Sequence, residues 1–306
     1  MRRLKSILVV VDRSPAASDA LTKAVALARK FGAQIELFMC DAERAYALSQ
    51  AYVPAGVEQA RRTCIEGTQC YLEALAQSMA ADDVRISIDA ICESPLYEGV
   101  VRKVLRDRPD LLIKSAAGVR ESGPAGLDAA DWHLMRTCPT ALMLTRGRPW
   151  HEPPRFAAAV DVSDHETAGL ASDIAQAGQL LTASAGGKLD ILYAEPPGLD
   201  DTEYEQGSRS LQALVGKLTR VVPDVHVLAG NPEVSLPGFA KRRAYDAMLL
   251  GALTHRPGVT AQIGTLTSKL VDALDCDFIL VKPGTYRTLI TRSPARTHTS
   301  NLSSTP

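Results

Sequence analysis

Several common function classes are excluded by what the 306-residue chain lacks. Its apolar runs, such as "SILVVVD" and "DFILVK", stop far short of the roughly 20 residues a membrane helix needs. The opening "MRRLKSILVVVDRS" reaches acidic and polar residues too soon for a secretory leader, which predicts a cytoplasmic protein with no membrane partner. Net charge is −1 and no long block of one sign occurs, so the electrostatic footprint of nucleic-acid binding is missing. The six cysteines make no C-x-x-C pair and the six histidines make no H-x-x-x-H or H-x-x-E cluster, so no metal site is expected. Cys40, Cys64, Cys70, Cys92, Cys138 and Cys276 read as free thiols, four of them in or beside apolar strand-like runs. Also missing are G-x-x-x-x-G-K-[ST], a G-x-G-x-x-G after the first strand, the G-x-S-x-G elbow and a Ser-Gly-Gly-x-Asp loop.

What is present is one pattern, written twice. Short β-branched runs alternate with longer helical stretches, the signature of βαβ units around a parallel sheet. In the first half the strands fall at Ile7–Val11, Ile35–Met39, Val84–Ala90, Leu111–Lys114 and Ala141–Leu144. In the second they fall at Phe156–Val160, Leu189–Tyr193, Val225–Leu228, Ala247–Leu250 and Phe278–Val281. Anchors recur in order: "VVVDRS" with "AAVDVS", "PDLLIKS" with "YDAMLLG", "CPTALML" with "CDFILVK". The spacing is that of a duplicated domain of about 150 residues. The expected fold class is α/β, with two tandem domains, each a five-stranded parallel open sheet with helices on both faces. The domains span 1–147 and 156–284, joined by a proline-rich linker at 148–155 within "TRGRPWHEPPR". Residues 285–306, rich in Ser, Thr and Arg, read as a disordered tail.

Ligands of such sheets bind beyond the carboxyl ends of the strands. In the second half those places are Asp161, the Tyr193–Ala194 backbone, Gly230–Pro232 and the Gly251 loop. Asp161 fits a helix cap as well as a ligand contact, and Asp12 holds the matched place in the first half. The "GNPE" turn reads as a β-to-α connection with proline near the helix start. The stretch "LLGALTHRPGVTAQIGTLTSKLVDAL" carries the stronger signal. Gly251 ends an apolar run and Gly264-Thr265 opens a helix, and a helix start beside a glycine loop attracts phosphate. The corresponding "AGLDAADW" of the first half offers Asp128 and Asp131, whose charges would repel one, so one site per chain is expected. His133 in "DWHLMRTCP" reads as structural rather than catalytic, since positions i and i+2 of a helix face apart.

The strand-one aspartates in "ILVVVDRS" and "AAAVDVSD", the segment "DWHLMRTCPTALML", and "GTLTSKLVDALDCDFILVKP" together resemble the universal stress proteins, in their tandem E-type form, from about Lys5 to Pro283. The resemblance implies the adenine-nucleotide alpha-hydrolase-like fold and a stress-response role. Nucleotide-binding members of that family carry G-x-x-G-x9-G-[ST], which falls here on Gly251, Thr254, Gly264 and Thr265, with Thr254 in place of a glycine. The implied contacts to ATP, or to a similar phosphorylated small molecule, are Asp161, Tyr193, Ala194, Leu250, Gly251, Thr254, Gly264, Thr265 and Thr267, in the second domain only. A Cβ at Thr254 works against close phosphate approach. The first domain, with Ser115 and Gly118 and no Gly-[ST] helix start, is expected to be degenerate. No general base or metal cluster is placed to activate water, so the expectation is no enzyme, with at most slow ATP hydrolysis. The alternative is a stress scaffold that binds no nucleotide and acts through protein partners or another small ligand. A ligase or transferase of related fold lacks its loop. The apolar "TALMLT" and "FILVK" strands either pair inside one chain, as a pseudo-dimer, or with a second chain, as a homodimer.

Overall fold

A computed structural model describes residues 3–50, 56–79, 83–116, 126–163, 169–195, 197–198, 200–254, 262–291 and 299–301. The chain divides into two compact units, the first built on Leu4–Ser115 and Ala129–Thr140, the second on Ala141–Tyr286.

The first unit runs β1 (Ser6–Val10), α1 (Ala17–Phe31), β2 (Gln34–Cys40), α2 (Ala42–Ser49), α3 (Val57–Ser78), β3 (Ile86–Ile91), α4 (Leu96–Asp107), β4 (Leu111–Ser115) and α5 (Ala129–Thr137). Its strands lie parallel in the order β3-β2-β1-β4. Residues 111–115 of β4 are all buried, as a strand covered on both faces requires, and that is why it reads as a continuous apolar run. In α1, buried Ala20, Leu21, Ala24, Val25, Leu27 and Ala28 recur at helical spacing, and Gly32, at φ 62°, ends the helix in the left-handed region.

The second unit runs β5 (Ala141–Thr145), β6 (Arg155–Ala159), α6 (Leu170–Ala185), β7 (Lys188–Glu195), α7 (Asp201–Val215), β8 (Asp224–Ala229), α8 (Pro232–Arg243), β9 (Ala247–Gly251), the short β10 (Leu253–Thr254) and β11 (Gln262–Ile263), α9 (Thr265–Ala273) and β12 (Asp277–Val281). Five strands are parallel in the order β12-β9-β6-β7-β8. The strand read as the fifth of the first half, β5, belongs to this unit and pairs antiparallel with β12, Leu144 opposite Phe278 and Leu142 opposite Leu280. "TALMLT" and "FILVK" therefore pair with each other inside the chain. A last strand, β13 (Thr299–Asn301), adds antiparallel to the outer edge of β3. The rest of the tail beyond residue 291 lies outside the described residues.

One device recurs in both units. The Asp110 carboxylate, just before β4, accepts from Lys5 N at 2.8 Å and Ser6 N at 3.1 Å, while Asp110 N donates to the Ser6 carbonyl. Asp246, just before β9, accepts from Arg155 N at 2.7 Å and His151 N at 3.0 Å, while its own N donates to the Arg155 carbonyl. An aspartate at the start of the fourth strand thus clamps the start of the first. These are the aspartates of the repeated "PDLLIKS" and "YDAMLLG".

The first unit also buries a cation. Lys103 of α4 donates to Glu36 Oε1 at 2.6 Å and to Asp89 Oδ2 at 2.7 Å, and its Nζ pairs with Asp107 Oδ2 at 2.6 Å. Arg106 adds a bond to Asp89 at 2.7 Å. Among the described residues, Glu36, Asp89 and Asp107 are the donors spaced closely enough to hold a metal ion, and the Lys103 ammonium bonds all three. Burial raises the Glu36 pKa, against the pull of Lys103. Burial also opposes the Asp107 charge, but hydrogen bonds from Arg106 and Lys103 outweigh it and hold that pKa below its usual value. Lys103→Met is expected to cost about 3–5 kcal/mol in urea unfolding at neutral pH, because it takes the ammonium from the buried Asp89 carboxylate and leaves part-buried Glu36 beside it. In that variant Glu36, already raised by burial, loses the opposing pull of Lys103, so its charged form is penalised at neutral pH and relieved by protonation, while Asp107 loses one of the bonds that hold its pKa down. The deficit against the parent should therefore narrow as pH falls towards about 4, and a deficit unchanged over that range would refute the role given to Lys103.

Candidate functional site

The carboxyl ends of β6, β7 and β9 carry the residues singled out in the second half. Asp161, after β6, accepts from Ser163 N at 3.0 Å; Asp12, after β1, accepts from Ser14 N at 2.8 Å. The two aspartates make the same local turn, and neither caps a helix, since α1 starts behind Ala16 and α6 behind Gly169. The capping reading of Asp161 is corrected to a turn contact, and both aspartates leave one carboxylate oxygen outside that bond. Tyr193 is buried in β7, and its pKa is raised first by burial and then by the charges of Asp161 and Glu195, so Tyr193 and Asp161 are within electrostatic reach. Ala194 and Leu250 are buried strand residues. Gly230, at φ 103°, turns the chain after β8, and Asn231 then caps α8 by accepting from Glu233 N at 3.0 Å with Pro232 in the first turn. "GNPE" is therefore a β-to-α connection.

At β9 the strand end is tied to the last helix: Thr267 Oγ1 donates to the Gly251 carbonyl at 2.7 Å. Gly264 is the N-cap of α9 at φ −57°, ψ 140°, with no side-chain cap, and the first turn holds no acidic residue. Its leading N–H groups have no partner within the helix, which makes this an electropositive end. Thr265 is exposed at that turn. Thr254 pairs with Gln262 in the β10–β11 ribbon, so the loop leaves and returns at one place; residues 255–261 lie outside the described residues. Gly251 has a packing role as well. A Cβ there would meet Leu170 Cδ2 at 2.8 Å and Ile174 Cδ1 at 3.4 Å, so the missing side chain makes room for α6.

The first unit makes the matching join differently. Lys114, buried at the end of β4, donates to Asp131 Oδ1 of α5 at 2.7 Å and to the Ser115 carbonyl at 2.9 Å. Asp131 is 0% exposed and ion-paired, so its charge is answered inside the protein rather than projected at a phosphate. The expected repulsion is corrected to that extent: the place is filled by an ion pair. The lysine inside the apolar "LLIKS" was the available signal, and sequence reasoning passed over it. His133 stacks on Tyr97 with ring centroids 4.3 Å apart, a packing role. Two cavities of about 490 and 540 Å³ in the second unit are lined from the opposite, amino-terminal ends of the strands, by residues such as Lys188, Asp224 and Arg243, and Pro237, Lys241 and Cys276. They are not part of the constellation at Gly251.

Residues 3–146 match the description "Universal stress protein family". They belong to that family. Universal stress protein E of Escherichia coli K12 is 24% identical over 94% of this chain and 97% of its own length, and its homolog from Haemophilus influenzae is 22% identical over 92% and 98%. The tandem arrangement is thus shared end to end with universal stress proteins of the E type, and the family connection supports a stress-response function. Among solved structures, a functionally unknown protein from Pseudomonas aeruginosa PAO1 superposes with a TM-score of 0.74 at 20% identity, covering 92% of this chain and 94% of its own. A universal stress protein from Archaeoglobus fulgidus gives 0.66 at 13% identity, covering 90% and 98%. Both share the universal stress protein fold seen here. Among the described residues no helix is long and apolar enough to cross a membrane.

The two joins predict unequal costs. Asp131→Asn strands a buried lysine charge and should lose about 3–5 kcal/mol of stability, while Thr267→Val removes one hydrogen bond at a half-buried carbonyl and should lose about 1 kcal/mol. Urea unfolding of the two variants measures the difference; equal losses would show that Lys114 does not depend on Asp131.

Proposed function

We propose that the second unit binds ATP or a related phosphorylated ligand at the carboxyl ends of β6, β7 and β9, and that the protein is a stress-response binding module without a catalytic residue. The observation that carries this reading is the start of α9. An uncapped, acid-free helix N-terminus stands against a glycine strand end, and Thr267 fastens the two together. In the proposed pose the α9 N–H groups and Thr265 take phosphate, Gly251, Thr254 and Gly264 line its approach, Asp161 takes ribose, and the Leu250 and Tyr193–Ala194 backbone faces the base. The first unit stays empty, because its matching place holds the Lys114–Asp131 pair. A cytoplasmic location accords with this role.

The test is calorimetric titration of the full chain with ATP. One nucleotide per chain is expected. Gly264→Val should abolish binding with the circular dichroism unchanged, since φ −57° is open to any residue. Asp161→Ala should weaken binding, with a stability loss of about 1 kcal/mol from the one turn hydrogen bond it also supports. Two equivalent sites, or full affinity in Gly264→Val, would overturn the assignment; no heat at all would favour a scaffold acting through other partners.

A further inference from the structure

None of the six cysteines is in a disulfide, and five are buried. Three of them gather at one corner of the first unit, on α3 and the ends of β2 and β3. In that parallel pair Cys40 lies opposite Ile91, and paired residues share a face of the sheet. A Cβ on Gly99 of α4 would meet both Cys40 Sγ and Ile91 Cδ1 at 2.9 Å, which fixes that face as the α4 side. Cys92, the next residue along, is turned to the other face, where α3 packs. Helix α3 presents Cys64, Thr68 and Leu72 there, four residues apart. Cys64 and Cys92, 1% and 2% exposed, close into one cluster with Ala45 of α2, flanked by half-buried Leu48 and Ile65. Cys64 Sγ donates to Asp41 Oδ2 at 3.4 Å and is within hydrogen-bonding reach of Cys92. Cys40 is held apart, its thiol donating to the Glu93 carbonyl at 3.2 Å.

We propose that Cys64 and Cys92 form a latent dithiol that hydrogen peroxide closes into an internal disulfide, tying α3 to the end of β3. One thiol, as its thiolate, attacks a peroxide oxygen; the O–O bond breaks, giving a sulfenic acid and a hydroxide that takes up the released proton. The second thiol then attacks the sulfenic sulfur, the S–S bond forms and water leaves. Two thiols are oxidised by two electrons in total, and one peroxide becomes two waters. Burial, reinforced by Cys92 and Asp41, pushes the Cys64 thiol up to about 12, so the thiolate is scarce and the first step is slow. A small uncharged oxidant suits so enclosed a pair. Exposed Cys70, on another face of α3, should react earlier and alone.

The experiment is peroxide treatment of the native full chain, alkylation of the remaining thiols in denaturant, digestion without reductant, and mass spectrometry. A peptide pair joining Cys64 to Cys92 is expected, 2 Da lighter than its dithiol form and split by dithiothreitol, with Cys40, Cys138 and Cys276 recovered alkylated. It should persist in Cys70→Ser and raise the thermal midpoint of the oxidised protein, since the bond closes a loop of about 28 residues. Recovery of Cys64 and Cys92 as separate thiols after prolonged treatment that has fully oxidised Cys70, or a bridge from either to another cysteine, overturns the proposal.

Discussion

A parallel strand pair has no hairpin to set its register, so something else must hold the first strand of each half against the fourth. Here a single carboxylate does it, twice. Asp110 and Asp246 gather the backbone N–H groups at the start of β1 and β6. With that end fixed, Ile7 meets Leu111 and Phe156 meets Ala247, and every later pairing follows in step. The carboxyl ends, where ligands of such sheets bind, are positioned by a bond made at the other end of the strands.

The central strands were legible because both their faces are covered: runs such as "ILVVV" and "FILV" have no polar alternation to blur them. The duplication was legible through anchors that turn out to have jobs, the clamping aspartates above all. Harder to see were interactions between residues far apart in the chain. Nothing local marks Glu36, Asp89 and Lys103 as neighbours, and a lysine in a helix ordinarily reads as solvated. The exchange of β5 onto β12 was open as one of two pairings, since an apolar edge strand carries no record of which edge it meets.

The site was legible as a set of positions and less so as a set of bonds. Glycine at the β9 end suggested close approach by a ligand, and the space beside it is also where Leu170 packs; sequence alone cannot separate those two uses of a missing side chain. Asp161 and Asp12 make one and the same turn, so their recurrence reflects architecture at least as much as chemistry. The difference between the halves lies in one substitution of role: Thr267 holds strand to helix with a neutral hydroxyl where Lys114 and Asp131 do it with charge.

Lys103 has one more consequence. A trio of carboxylates that recruits its counter-ion from solution is governed by mass action: it empties on dilution, competes among ions and answers to chelators. The same trio closed around an ammonium on its own chain has no dissociation constant. Its occupancy is one per folded molecule by covalent connection, and only unfolding or titration can release it, so this part of the fold holds its charge balance whatever the ionic supply of its surroundings.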